Sequence, residues 1–175
     1  MIDIRRINTD HPLYQQEADL RERVLLADAG FDFRSFVREY PYEDEAEHFV
    51  AVTTHTSPGP PAEVVIGTAL LIPHHPAEGV GKVTQVAVDP QRQGEGIGRR
   101  LMVTLESRAF GELALREVYC HAQNTAMGFY TRLGWLTEGE EFMEAGIPHH
   151  RMCIRSPAGD PPADARADFA DERGD

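Results

Sequence analysis

The sequence predicts a single α/β domain, and three observations carry that expectation. Residues 83–101, VTQVAVDPQRQGEGIGRRL, read as a strand, a turn, a glycine loop and the start of a helix. Short β-branched segments alternate with segments of helical period through the first 155 residues. A chain of 175 residues with 41% hydrophobic content is long enough to bury one core.

Taken in order, Ile2, Ile4 and Ile7 mark a first strand. Asp10 is placed to cap a helix that tolerates Pro12 in its first turn, and Leu13, Leu20, Val24 and Ala27 give it an apolar stripe. Gly30 ends it, and 31–38 reads as a second short helix. A strand over 48–53 joins a partner at 64–72 through the Ser/Pro/Gly turn at 56–61. After a loop at 73–79 comes the strand that ends at Val88. Pro90 marks the next turn, and Ile97, Leu101, Met102 and Leu105 set the face of a helix that runs to about Phe110. A strand at 117–121 and a helix at 125–133, closed by Gly134, precede two last strands near 136–142 and 151–155. Residues 156–175 hold six acids, two arginines, three prolines and one aromatic, the composition of an unstructured tail, so the domain is set at 1–155.

The glycine loop points to chemistry. Gly94, Gly96 and Gly98 remove side chains where a helix begins. Unpaired N–H groups and the helix dipole favour an anion there, and Arg92, Arg99 and Arg100 add positive charge. No Gly-Lys-Ser/Thr follows, which excludes a P-loop, and the G-x-G-x-G spacing is a poor dinucleotide fingerprint.

The pattern that fits is Gln93-x-x-Gly96-x-Gly98 after a Val-rich strand, which resembles the acyl-CoA loop of the GNAT family of N-acetyltransferases. A second match, Asn124-Thr-Ala-Met-Gly-Phe129-Tyr130-Thr-Arg-Leu133-Gly134-Trp135, resembles that family's N-x-A-x-x-F-Y-x-x-x-G-[FW] helix and turn. A third segment, Glu144-Ala-Gly-Ile-Pro-His149, with His121-Ala-Gln123, resembles the ElaA/YjcF-like subgroup. The resemblance covers nearly all of 1–155. It implies a mixed, mostly antiparallel sheet of about six or seven strands, splayed between the fourth and fifth, with helices on both faces.

It also implies roles. The backbone of Val86, Ala87 and Val88 would pair with the pantetheine arm and polarise a thioester carbonyl. Gln93, Gly94, Gly96, Gly98 and Arg99 would hold the pyrophosphate, and Asn124 would contact the cofactor arm, although its position also suits a helix cap. Tyr130 would be the general acid for the departing thiolate, although a packing aromatic fits the same place. His149 is the first candidate for the base that deprotonates the amine, with His121 and Glu47 behind it. Two acidic clusters, Glu39, Glu43, Asp44, Glu45 and Glu47, and Glu138, Glu140, Glu141 and Glu144, would attract a cationic amine or form a solvated surface.

Net charge of −12 argues against a nucleic-acid partner, and no apolar run approaches membrane-spanning length. The N-terminus lacks a signal-peptide core, and Cys120 and Cys153 lack metal-ligand spacing, so the expectation is a cytoplasmic protein with no metal, monomeric or homodimeric. The expected function is acetyl transfer from acetyl-CoA to a primary amine by direct attack, an acyltransferase of class EC 2.3.1.-. The alternatives are a non-catalytic acyl-CoA-binding module on the same fold and a binder of a different phosphate ligand.

Overall fold

The computed structural model describes residues 1–56 and 59–158. Part of the 56–61 turn, and the expected acidic tail from residue 159 onward, lie outside the described residues. The elements are β1 (Ile2–Ile7), α1 (Tyr14–Arg21), α2 (Phe33–Glu39), β2 (Glu47–His55), β3 (Ala62–Ile72), β4 (Val80–Val88), α3 (Ile97–Ser107), β5 (Glu117–Gln123), α4 (Met127–Arg132), β6 (Leu136–Glu144) and β7 (Ile147–Arg155). The seven strands form one sheet in the order β1-β2-β3-β4-β5-β7-β6. Only β4 and β5 pair in parallel. The expected mixed, mostly antiparallel sheet is therefore present.

Period-two alternation in β2 feeds both faces. Phe49 and Ala51 join Ile97, Leu101, Met102 and Leu105 of α3 in the larger core. Val50 and Val52 meet Leu13 and Leu20 on the opposite side. Leu101 and Leu105 are fully buried, a setting in which truncation to alanine costs about 2–5 kcal/mol.

Three local expectations change. The first helix starts at Tyr14 rather than after Asp10, and His11 Nδ1 accepts the Leu13 N–H in the preceding turn. Beyond Arg21 it continues as a π-helical turn over Glu22–Leu26. That wider turn shifts the helical period, so Leu26 is buried where the sequence stripe pointed to Ala27, which is exposed. The last strand begins at Ile147, not 151, and so carries His149 within the sheet.

The site is set by how β4 and β5 part. They pair only through Val80↔Glu117, Gly81↔Val118 and Lys82↔Tyr119. β5 then follows β7 as far as Gln123↔His149, while β4 stays with β3. β4 carries an extra residue between the pairs Leu70↔Thr84 and Thr68↔Ala87, and Gln85 sits there at φ 53°. This is a β-bulge, which adds local twist and directs the rest of β4 away from β5. Among the described residues, no helix is long and apolar enough to cross a membrane.

Candidate active site

The split between β4 and β5 opens into a cavity of about 350 Å³. Thr84, Gln85 and Val86 form one wall, and Cys120, His121, Ala122 and Gln123 the other. Gln85 and Val86 have no partner in the β3 register. Their backbone thus departs from the regular ladder at the cavity edge, where a carbonyl-bearing ligand can approach it.

One end of β4 leads into the glycine loop. Asp89 Oδ1 accepts the Gln91 N–H in a short 3₁₀ turn at Pro90–Arg92, and Gln93 Nε2 donates to the Val88 carbonyl. Gly96 caps α3 at φ 75°, and Gly94 is at φ 87°. A Cβ at either would meet no protein atom within 4 Å, so the space above the backbone is open. The Arg100 N–H already bonds to the Gly96 carbonyl, which leaves the N–H groups of Ile97, Gly98 and Arg99 facing that space. These features fit a diphosphate. Arg99 is exposed and forms no ion pair among the described residues, whereas Arg92 is committed to Glu95 at 2.7 Å. Gly98 has a different reason to lack a side chain: a Cβ there would lie 3.2 Å from the Phe129 ring. The two sequence motifs therefore touch.

Tyr130, next to Phe129 on α4, is 7% exposed, and its ring packs on Phe129 at 5.1 Å and Trp135 at 5.2 Å. Its hydroxyl faces the Cys120 thiol across the cavity floor. Burial, and then the neighbouring Cys120, push the phenol well above its usual range, so it stays protonated and able to donate. Burial pushes the Cys120 thiol up to about 12, which leaves it a poor nucleophile.

On the β7 side, His149 is 6% exposed and stacks on Phe142. Its Nδ1 lies 2.7 Å from the Ile147 carbonyl, which can only accept. Nδ1 is therefore a donor, and Nε2 is the nitrogen nearer Glu144. Glu144 bridges the two histidines, with Oε1 3.0 Å from His121 Nδ1 and Oε2 3.7 Å from His149 Nε2.

The fold has known counterparts. A sequence profile described as an acetyltransferase (GNAT) domain matches residues 39–156. The chain belongs to the GNAT family. The solved structures similar to this GNAT chain include an acyl-CoA N-acyltransferase from Pseudomonas aeruginosa, with 21% identity and a TM-score of 0.65 over 87% of this chain and 99% of that one. Escherichia coli ElaA matches with 18% identity and a TM-score of 0.69 over 89% and 100%. An aminoglycoside 6'-N-acetyltransferase complexed with coenzyme A matches with 16% identity and a TM-score of 0.66 over 87% and 96%. At these identities the likeness is one of fold.

Within this GNAT fold, Val86, Tyr130 and His149 line the cavity, and Gly94, Gly96, Gly98 and Arg99 form the loop that follows β4, which meets α4 where Gly98 approaches Phe129. Ala87 and Val88 return to the β3 ladder, paired with Thr68 and Gly67. Asn124 stands apart: its Nδ2 donates to Glu141 at 2.7 Å and its Oδ1 accepts from His150 at 2.8 Å, so its side chain ties β6 to β7. Glu47 does not line the cavity and is held by Arg108 at 2.7 Å. Three of the nine acids in the expected clusters are paired with arginines, Glu43 with Arg21, Glu47 with Arg108 and Glu138 with Arg151 and Arg155. Only Glu43 and Glu144 among them reach the cavity.

Behind the bulge lies a buried network that sequence reasoning missed. Arg21, fully buried, donates to both Glu43 oxygens at 2.6 and 3.0 Å and, through Nε, to Gln85 Oε1 at 3.2 Å. His48, also fully buried, donates to the Glu17 carboxylate at 3.0 Å and the Glu43 carbonyl at 2.9 Å. Thr68 Oγ1 donates to Glu17 at 2.7 Å. Burial works to lower the His48 pKa, but its bonds to Glu17 and the Glu43 carbonyl outweigh burial and raise it. With acceptors on both ring nitrogens, His48 is an imidazolium. The i,i+4 spacing of Glu17 and Arg21 was the available signal. By itself that spacing does not show that this face of α1 turns inward.

Proposed function

We propose that the protein is a cytoplasmic acetyl-CoA-dependent N-acetyltransferase that acetylates a primary amine by direct attack. The observation that carries this reading is the opening of the β4–β5 gap beside the bulge of β4 and a protonated Tyr130, with the open Gly94–Gly96 loop following β4. A decayed binding module would need the loop but not a buried phenol and a histidine beside a carboxylate at the same cavity.

The acetyl-CoA thioester supplies an activated acyl group. The amides of Ile97, Gly98 and Arg99 hold the diphosphate, and Arg99 adds charge. The bulge backbone at Gln85–Val86 orients the carbonyl. His149 Nε2 takes the proton from the acceptor ammonium, directly or through water, and Glu144 stabilises the charge that results. The amine lone pair then forms the C–N bond and the C–S bond breaks. Tyr130 donates its hydrogen bond to the sulfur as negative charge develops. Because the Tyr130 pKa is high, the phenol stabilises the thiolate and keeps its own proton, and the proton that the acylated nitrogen sheds reaches the thiolate through water.

Direct attack is favoured over an acetyl-cysteine relay by the burial and high pKa of Cys120. The test is thiol release from acetyl-CoA with a panel of primary amines. Initial-rate plots should intersect, and Cys120→Ala should retain turnover. Parallel lines together with an inactive, folded Cys120→Ala protein would replace direct attack with the relay. Failure to bind acetyl-CoA would remove the enzyme reading.

A further inference from the structure

The half of the cavity away from the glycine loop has a composition of its own. α2 contains no buried residue, although Phe33, Phe36 and Val37 lie on it. Part of its apolar face does not enter the core; instead Phe36, with Phe31, Tyr40, Tyr42 and Leu25 from the flanking segments, lines the cavity. Phe31 and Phe36 meet edge-to-face at 6.0 Å, and Phe36 and Tyr40 lie 5.0 Å apart. These rings form one wall, and most of them are half-buried. Side chains of this kind in a concave wall lose their remaining water contact only when an apolar body fills the space.

The charges in the cavity narrow the occupant further. Two carboxylates line it, Glu43 and Glu144, and two cations, Arg21 and Lys82. Glu43 is consumed by Arg21 at 2.6 Å. Glu144 is left facing the histidines, with Tyr40 close enough that its hydroxyl feels the Glu144 charge after the larger effects of burial and Glu39. Lys82 forms no ion pair among the described residues. The site thus provides for one ammonium, at Glu144 beside aromatic faces that also favour a cation. Its lining has no further unpaired carboxylate for a second, which Lys82 would repel.

We infer that the acceptor is a primary amine on a short linker from an aromatic or similarly flat apolar body, with no second positive charge. The ring lies against Phe31, Phe36 and Tyr40, and the ammonium lies at Glu144 within reach of His149. This assignment rests on the acetyl-transfer reading for its chemistry but not for its binding geometry.

The experiment compares 2-phenylethylamine, n-butylamine and spermidine as acceptors at saturating acetyl-CoA. 2-Phenylethylamine should exceed each of the others by about tenfold or more in kcat/KM, equivalent to about 1.4 kcal/mol or more. Phe36→Ala should erase most of that preference through KM for the aryl amine and leave KM for acetyl-CoA unchanged. α2 buries no residue, so this variant should fold. Lys82→Gln should raise the relative rate with spermidine. Transfer that favours spermidine, or an aryl preference that survives Phe36→Ala, would overturn the inference and leave the acetyl-transfer reading standing. If no amine releases thiol, calorimetry with 2-phenylethylamine decides: binding that Phe36→Ala abolishes upholds the site and removes the reaction, and no binding removes both.

Discussion

Tyr130→Phe isolates one hydroxyl from one ring. The ring packs between Phe129 and Trp135 at 5.1 and 5.2 Å, and phenylalanine keeps those contacts. The hydroxyl lies near the Cys120 thiol, a weak hydrogen-bond partner, so its loss should lower stability by less than about 1 kcal/mol. For a chain of this size that is a fall in Tm of about 2–4 °C. Turnover should respond far more strongly. In the transition state the hydroxyl donates to a sulfur that carries developing negative charge, in a pocket where Tyr130 is only 7% exposed. A hydrogen bond to a charged group is worth about 1.5–3 kcal/mol, which corresponds to a fall in kcat of about 10- to 150-fold. Acetyl-CoA affinity should change little, because the interaction strengthens only as charge develops. The assay is thiol release under saturating acetyl-CoA, with calorimetry for the cofactor. The wild-type pH–rate profile should show no phenol ionisation up to about pH 10, since burial raises the Tyr130 pKa above that value. A variant that turns over within threefold of wild type would make Tyr130 a packing residue. A profile that falls with a pKa below 10, absent in Tyr130→Phe, would mean the phenol ionises and would refute the donor role.

Two further outcomes follow from the loop and the buried network. Gly96→Val forces a β-branched residue to φ 75°, a strain of about 1–2 kcal/mol, and projects atoms into space that the protein leaves open. Acetyl-CoA affinity should fall by about tenfold or more in a protein that still melts cooperatively; unchanged affinity would move the diphosphate elsewhere. His48 has a raised folded pKa, so its contribution to stability is complete below its unfolded value near 6.5 and is lost as pH rises through the folded value. Above that point a neutral ring keeps one proton for two acceptors, the Glu17 carboxylate and the Glu43 carbonyl, with Arg21, Tyr14 and Thr68 around them. Denaturant unfolding should show stability declining as pH climbs above 6.5, with the His48 ring still charged by NMR at the start of that decline. A neutral ring at pH 6.5 would contradict the assignment.

The elements that the sequence determined are those whose signal is local. β-branched alternation located β2 and β3, the glycine loop located the start of α3, and the spacing of Ile97, Leu101, Met102 and Leu105 located the buried face of that helix. Gly94, Gly96 and Gly98 were legible as a set, because only glycine tolerates both a positive φ and a close neighbour. Why each is glycine was not: Gly96 needs its φ of 75°, whereas Gly98 yields to Phe129, a residue 31 positions away. The tertiary structure alone decided the rest. Gln85 has no composition that marks a bulge, since its φ of 53° is imposed by the register between β3 and β4 and held by Arg21. The acids of the two clusters looked alike in sequence, yet Glu43 and Glu47 are neutralised by arginines 22 and 61 residues away, and Glu144 bridges two histidines brought together by β5 and β7. Backbone preference and amphipathic period act over a few residues, so a sequence carries them openly. The pKa of a phenol, the freedom of a carboxylate and the shape of a cavity are set by groups that only the folded sheet brings into range.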